Sequence, residues 1–123
     1  AQRPQSNTPL AALTLMNDPT FVEAARAFAA RIITEAPGKS DQIRLGYAMQ
    51  LAVSRLPDGQ EVTALQQLLQ SSIDYYQKNP AEAEKVVAVG LAAQASDIAT
   101  VELASWTAVA RAILNLDEAI TRN

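Results

Sequence analysis

An all-α fold is predicted by three observations on this 123-residue sequence. About half the residues are hydrophobic, Ala dominates them, and aromatic residues make up only 5%; this composition favours helix over sheet. Apolar residues recur at spacings of three and four along most of the chain. Between these runs stand short polar breaks of the kind that start and stop helices. One core is expected, because a chain of this size buries about two thirds of its unfolded surface. The architecture predicted is a compact bundle of five to six helices joined by short capped turns.

Residues 1–7, AQRPQSN, are polar with one proline and read as a linker or arm. The remainder, 8–123, reads as a single helical domain. Thr8 with Pro9 opens a short first helix, where the missing proline N–H costs nothing; Leu10, Leu13 and Met16 form its apolar side. Asn17 and Asp18 end it, and Pro19 prevents simple continuation while suiting a new first turn. The second helix is capped by Asp18 or by Thr20 with Glu23, and runs to about Glu35. Phe21, Ala25, Phe28 and Ile32 occupy one face, widened by Val22, Ala29 and Ile33.

After APGKS, Ser40 caps a third helix whose buried set is expected to be Ile43, Tyr47 and Leu51, with Met49 and Val53 at the edge. Asp58 with Glu61 forms a capping box for the fourth, which carries Val62, Leu65, Leu69, Ile73 and Tyr76. Asn79 with Glu82 repeats the device for a fifth, shorter helix ending near Gly90. Residues 91–97 read as a connection. The last long helix, about Ile98 to Asn115, places Leu103, Trp106, Ala110 and Ile113 on one stripe, with Val109 and Leu114 beside it. Asn115 with Glu118 predicts a final turn at an angle.

Composition narrows the chemistry. The chain has no histidine and no cysteine, which removes thiolate nucleophiles, histidine-based dyads, disulfides, covalent haem attachment and ordinary zinc or copper sites. A net charge of −3 gives no basic footprint for nucleic acid. The longest apolar run, Val86 to Ala93, is far shorter than the roughly 20 residues of a membrane span. No metal or cofactor is expected.

The remaining polar residues are better explained by helix ends than by a reaction. Asn17, Asp18 and Pro19 could place backbone amides around an anion, but Asp18 would fill that positive end itself. Asp58, Glu61, Asp117, Glu118, Glu82 and Glu84 all fall where helix starts favour negative charge. Arg55 is expected to bind terminal carbonyls or a neighbouring acid, Trp106 to anchor packing, and Arg111 to pair locally with Asp117 or Glu118. Ser105, Thr107 and Thr63 have no base in any recognisable pattern and read as surface or interhelical contacts. Arg55 and Trp106 are the two candidate contacts for a ligand or partner, and no residue is assigned a catalytic role.

Three blocks, NTPLAALTLMNDPTFVEAARAFAAR (7–31), MQLAVSRLPDGQE (49–61) and ELASWTAVARAILNLDEAITRN (102–123), together resemble the C-terminal part of a domain of unknown function found at the end of large planctomycete-type proteins. The shared positions are Asn7 to Leu10, Asn17 to Arg26, Arg55, Pro57, Glu61, Trp106, Ala110 to Asn115, Asp117, Glu118 and Arg122. The sequence departs at Ala119, where the family usually has Phe, and at Ser54 and Leu56, where Gly and Pro are common. The resemblance implies an excised subdomain of a larger domain, from exported (periplasmic or secreted) proteins that often also carry a cytochrome-c-like domain. It implies no activity. The expectation is a non-catalytic structural or protein-interaction module whose partner is the rest of its parent protein. The alternatives are an accessory part of an extracytoplasmic enzyme, for example one acting on polysaccharide, whose catalytic groups lie upstream, and a docking surface for the cytochrome-like module. An apolar face left open where the rest of the domain packed would let the chain self-associate.

Overall fold

The computed structural model describes residues 19–88 and 98–121, with side chains over 20–88 and 98–116. Five α-helices and no strand occur among them: α1 (Pro19–Glu35), α2 (Asp41–Val53), α3 (Gly59–Lys78), α4 (Pro80–Val87) and α5 (Thr100–Thr121). The all-α class is as the sequence predicts. The arm at 1–7, the helix at 8–16, the Asn17–Asp18 joint, the stop at Gly90 and the connection at 91–97 lie outside the described residues.

Helix α5 is the hub. It packs against all four other helices, most extensively α1, then α3 and α4. Leu103, Ala104, Ser105, Trp106 and Thr107 are consecutive and all buried, and a helix enclosed on every side must be central. Two polar members of that run meet the interior differently. Thr107 Oγ1 donates to the Leu103 carbonyl at 2.7 Å, whereas Ser105 Oγ has no hydrogen-bond partner among the described residues. Neither is a surface residue. Val109, Ala110 and Ile113 continue the enclosed face.

Against this hub α1 lays Val22, Ala25, Ala29 and Ile32. The two alanines let the α1 and α5 backbones approach closely, and the larger Phe28 and Ile33 fill the flanks. Thr20 lies inside the first turn of α1 and not at its cap. Leu65 and Leu69 from α3 and Ala83 and Val87 from α4 complete the core.

In α2 the apolar face differs from the expected one. Leu45, Ala48 and Met49 are buried and Ala52 packs against them. Ile43 and Leu51 are exposed and Tyr47 is half-buried. Both sets satisfy helical spacing, so periodicity alone cannot choose between them. The choice falls to Arg44, which sits beside Leu45 on the inward side and is itself buried.

The caps are local and specific. Ser40 Oγ accepts from Ile43 N at 3.2 Å to start α2. Asp58 Oδ1 accepts from Glu61 N at 2.8 Å, and Glu61 Oε1 accepts from Asp58 N at 3.0 Å, a complete capping box at the start of α3. Two expected caps are corrected. Asn79 makes no side-chain cap to α4; its amide turns back and donates to the Tyr75 carbonyl at 2.8 Å, closing α3 instead, while Pro80 opens α4. Helix α5 starts at Thr100 and runs unbroken through Asn115 to Thr121. Nothing from 100 to 121 is proline or glycine, and Leu114 and Leu116 still pack on the core, so one unfavourable asparagine does not end the helix. The side chains of Asp117 and Glu118 lie outside the described residues, as does any pairing of them with Arg111.

Ser54 ends α2 in the left-handed region, at φ 61° and ψ 28°, with its N–H donating to the Gln50 carbonyl. A residue with a Cβ is strained there, which gives a physical reason for glycine at this place. Ser54→Gly is expected to stabilise the fold by about 0.5–1 kcal/mol, the relief of strain exceeding the added freedom of the unfolded chain. Urea unfolding followed by circular dichroism measures it; an unchanged or lower midpoint would contradict the strain.

Candidate functional site

The turn SRLPDGQE gathers the densest polar cluster among the described residues. Ser54 reverses the chain and Pro57 stiffens it, so that Arg55 faces the first turn of α3. There its Nη1 and Nη2 donate to the two Glu61 carboxylate oxygens, each at 2.7 Å, and Nη1 also reaches the Leu56 carbonyl at 3.2 Å. Glu61 thus serves Arg55 and the Asp58 amide together. The Arg55 guanidinium, followed by the Asp58 N–H, holds the Glu61 carboxyl down at about 2, and the same pairing raises Arg55. These contacts use three of the five guanidinium N–H groups, and the side chain stays 44% exposed.

The sign of its pH dependence follows from that lowered value. Glu61 contributes stability that is fully present above the ordinary glutamate range and is lost as pH falls toward about 2. Glu61→Gln keeps the shape but gives up the charge. It should lose about 1–2 kcal/mol at neutral pH, the value being kept low because Arg55 is 44% exposed and solvent screens the pair. Between about pH 5 and 2 the difference between the two proteins should close. Denaturant midpoints across that range test this, and a constant gap would show that the charge plays no part.

A second cluster lies inside. Arg44, with only 8% of its side chain exposed, donates from Nη1 to Glu102 Oε2 at 2.9 Å and from Nη2 to the Ile33 carbonyl at 3.4 Å. Its Cζ stands 5.9 Å from the centroid of the Trp106 ring, at the outer reach of a cation–π contact. Nε has no hydrogen-bond partner among the described residues. This group joins α1, α2 and α5, and no motif in the sequence announced it; the one available signal was an arginine between two apolar residues in a helix otherwise uncharged beyond its first turn. A third, exposed cluster ties the end of α1 to α2. Arg31 and Tyr47 both donate to Glu35, lowering the Glu35 carboxyl and raising the Tyr47 phenol.

Arg55 and Trp106 therefore stand in different environments. Arg55 is on the surface with Glu61, and Trp106 is 2% exposed in the core, so they do not line one open cleft. A shallow open groove runs along the outer side of α3, lined by Asp58, Gly59, Gln60, Thr63, Ala64 and Gln67. Its one carboxylate is engaged as a helix cap, and Thr63 donates to the Gly59 carbonyl. No group of three or more acidic residues able to hold a metal ion occurs among the described residues. None of the described helices is long and apolar enough to cross a membrane.

The first 69 residues match a family model described as PSD1: Protein of unknown function (DUF1553). That match covers more than half of the chain, including the blocks at 7–31 and 49–61; the block at 102–123 lies beyond it. Neither a curated protein nor a solved structure matches the chain.

Proposed function

We propose that this chain, which belongs to the PSD1 family of proteins of unknown function, is a non-catalytic structural or protein-interaction module at the C-terminus of an exported multidomain protein. The observation that carries the reading is the burial of Trp106 beneath Arg44. An indole in that position packs the core and offers no platform to a sugar or other planar ligand. The commitment of Asp58, Glu61 and Arg55 to one another supports the same view. The C-terminal position, the export and the neighbouring cytochrome-c-like domain rest on the resemblance of the three sequence blocks.

On this reading the partner is the remainder of the parent protein. Titrating the chain into the separately produced upstream portion should give binding by calorimetry and a higher melting temperature of that portion. The competing reading, an accessory part of an enzyme, requires polar groups of this chain to reach a substrate. It would prevail if Arg55→Gln abolished an activity of the whole parent protein while leaving its fold and melting temperature intact. A docking role toward the cytochrome-like module would draw on the net charge of −3, and such binding should weaken as salt rises from about 0.05 to 0.5 M.

A further inference from the structure

Of the four exposed large apolar residues described, Tyr75 lies on α3, Leu56 in the turn after α2, and Ile43 and Leu51 on the outward side of α2. Between Asp41 and the end of the helix its only charged residue is Arg44, which points into the core. Beyond Asp41 the outer face of α2 thus has no charge of its own, and the exposed Arg31–Glu35 pair of α1 borders it at Tyr47, which donates to Glu35 at 2.9 Å. Ile43 is 45% exposed and Leu51 41%, and Tyr47 lies between them. Leu56, 67% exposed, is the most open large apolar residue described. It flanks the same row, its Cδ2 lying 3.8 Å from where a Cβ on Gly46 would stand. By contrast the outer side of α3 presents Gln60, Thr63, Gln67, Gln70 and Asp74 to solvent.

The order of residues along this face is symmetric. Ser40, Ile43, Tyr47, Leu51 and Ser54 follow one side of the helix at spacings of three and four, and the row reads alike in both directions about Tyr47. A twofold interface must be self-complementary, since each residue meets a position that it is met by in turn. Antiparallel pairing of two α2 helices about Tyr47 would set Ile43 of each against Leu51 of the other. Charge agrees with that direction. Lys39 stands at the positive end of α2, while the cluster at its other end has one arginine against two carboxylates, a net negative charge beside the terminal carbonyls. Asp41 does not cancel Lys39 on this side, because it projects about 160° away from Ile43 at roughly 100° per residue.

We infer that the outer face of α2 is a self-association surface, and that its occupant is the α2 helix of a second copy of this chain in antiparallel register. The contact is small, so a dissociation constant on the order of 10–100 μM is expected. Sedimentation of the full chain should show a monomer–dimer equilibrium in that range. I43E and L51K should each raise the dissociation constant at least about tenfold, with the helical signal and melting temperature retained. Mixed in equal amounts, the two variants should form a heterodimer, because the register sets the new glutamate against the new lysine. Gln77→Lys, exposed near the far end of α3, should leave the dimer unchanged. If L51K does not fold, Leu51→Gln takes its place. A wild-type chain that stays monomeric at about 500 μM would overturn the inference. So would a dimer that survives both variants, a mixture that fails to pair, or a dimer lost instead on removing residues 1–18.

Discussion

Trp106→Ala is expected to destabilise the fold by about 3–5 kcal/mol, the range for removing a large aromatic from a packed core. The site cannot collapse easily, because Trp106 lies on the hub helix within an uninterrupted run of buried residues and beneath a buried arginine. A domain of this size holds only about 5–15 kcal/mol in total. The substitution should therefore bring the chain to the margin of folding and lower the urea midpoint steeply. Trp106→Phe, which keeps an aromatic ring and leaves a smaller void, should cost less than half as much. Because this is the single tryptophan, its emission also reports the environment directly: a blue-shifted maximum that acrylamide hardly quenches is expected. A loss below about 1 kcal/mol for the alanine variant, or ready quenching, would show that the indole is not enclosed and would remove the main support for a non-catalytic reading.

The second large effect concerns Arg44, and here the direction depends on which partner is removed. Glu102→Gln leaves a buried guanidinium with the Ile33 carbonyl and the indole face as its remaining contacts, and should cost about 1–2 kcal/mol. Full loss of a buried pair would be greater, but Glu102 is 40% exposed and water can replace part of its role. Arg44→Ala removes the charge and also the stem that fills space between α1, α2 and α5; about 2–4 kcal/mol should be lost. Arg44→Met keeps most of that volume and eliminates the unbonded Nε, so it should fall within about 1 kcal/mol of the parent. The ordering of the three in denaturant unfolding is the test. Equal losses for Met and Ala would mean that the charge, and not the packing, matters at this position. Glu35→Gln, on the exposed Arg31 pair, should produce no comparable loss.

Much of this arrangement was legible in the sequence, and particular residues show where legibility stopped. The Asp58–Glu61 box was readable because both halves of the device lie within one turn and depend on nothing remote. The face of α5 was readable because Leu103, Trp106, Ala110 and Ile113 are large or closely spaced enough to define one stripe. Helix α2 was not, since Ile43, Tyr47 and Leu51 outweigh Leu45, Ala48 and Met49 in bulk, and the choice is made by contacts with α1 and α5 distant in sequence. Asn79 misled because the sequence cannot say whether a side chain between two helices serves the one before or the one after. At Asn115 a cap-like spacing occurs inside a helix that tertiary packing carries through.

The Arg55–Glu61 fork was accessible only in outline. An arginine at a helix end near an acid could be anticipated, but its two equal contacts depend on the left-handed Ser54 turning the chain back. The interior arginine escaped altogether, because its partners Ile33, Glu102 and Trp106 come from three separate stretches. No local pattern encodes such a meeting.

The placement of α5 bears on how the chain is born. Helices α1 to α4 are synthesised before the segment that all of them contact, and at about 5–20 residues per second α1 waits several seconds for its largest mate. Until Leu103 to Ile113 clear the ribosome, the alanine seam of α1 and the inward arginine of α2 have no counterpart. The segment should therefore remain open to proteases and chaperones until α5 emerges, and acquire protection abruptly then. A ribosome-bound chain stalled before Thr100 should be digested readily, and one stalled far enough downstream to expose α5 should resist.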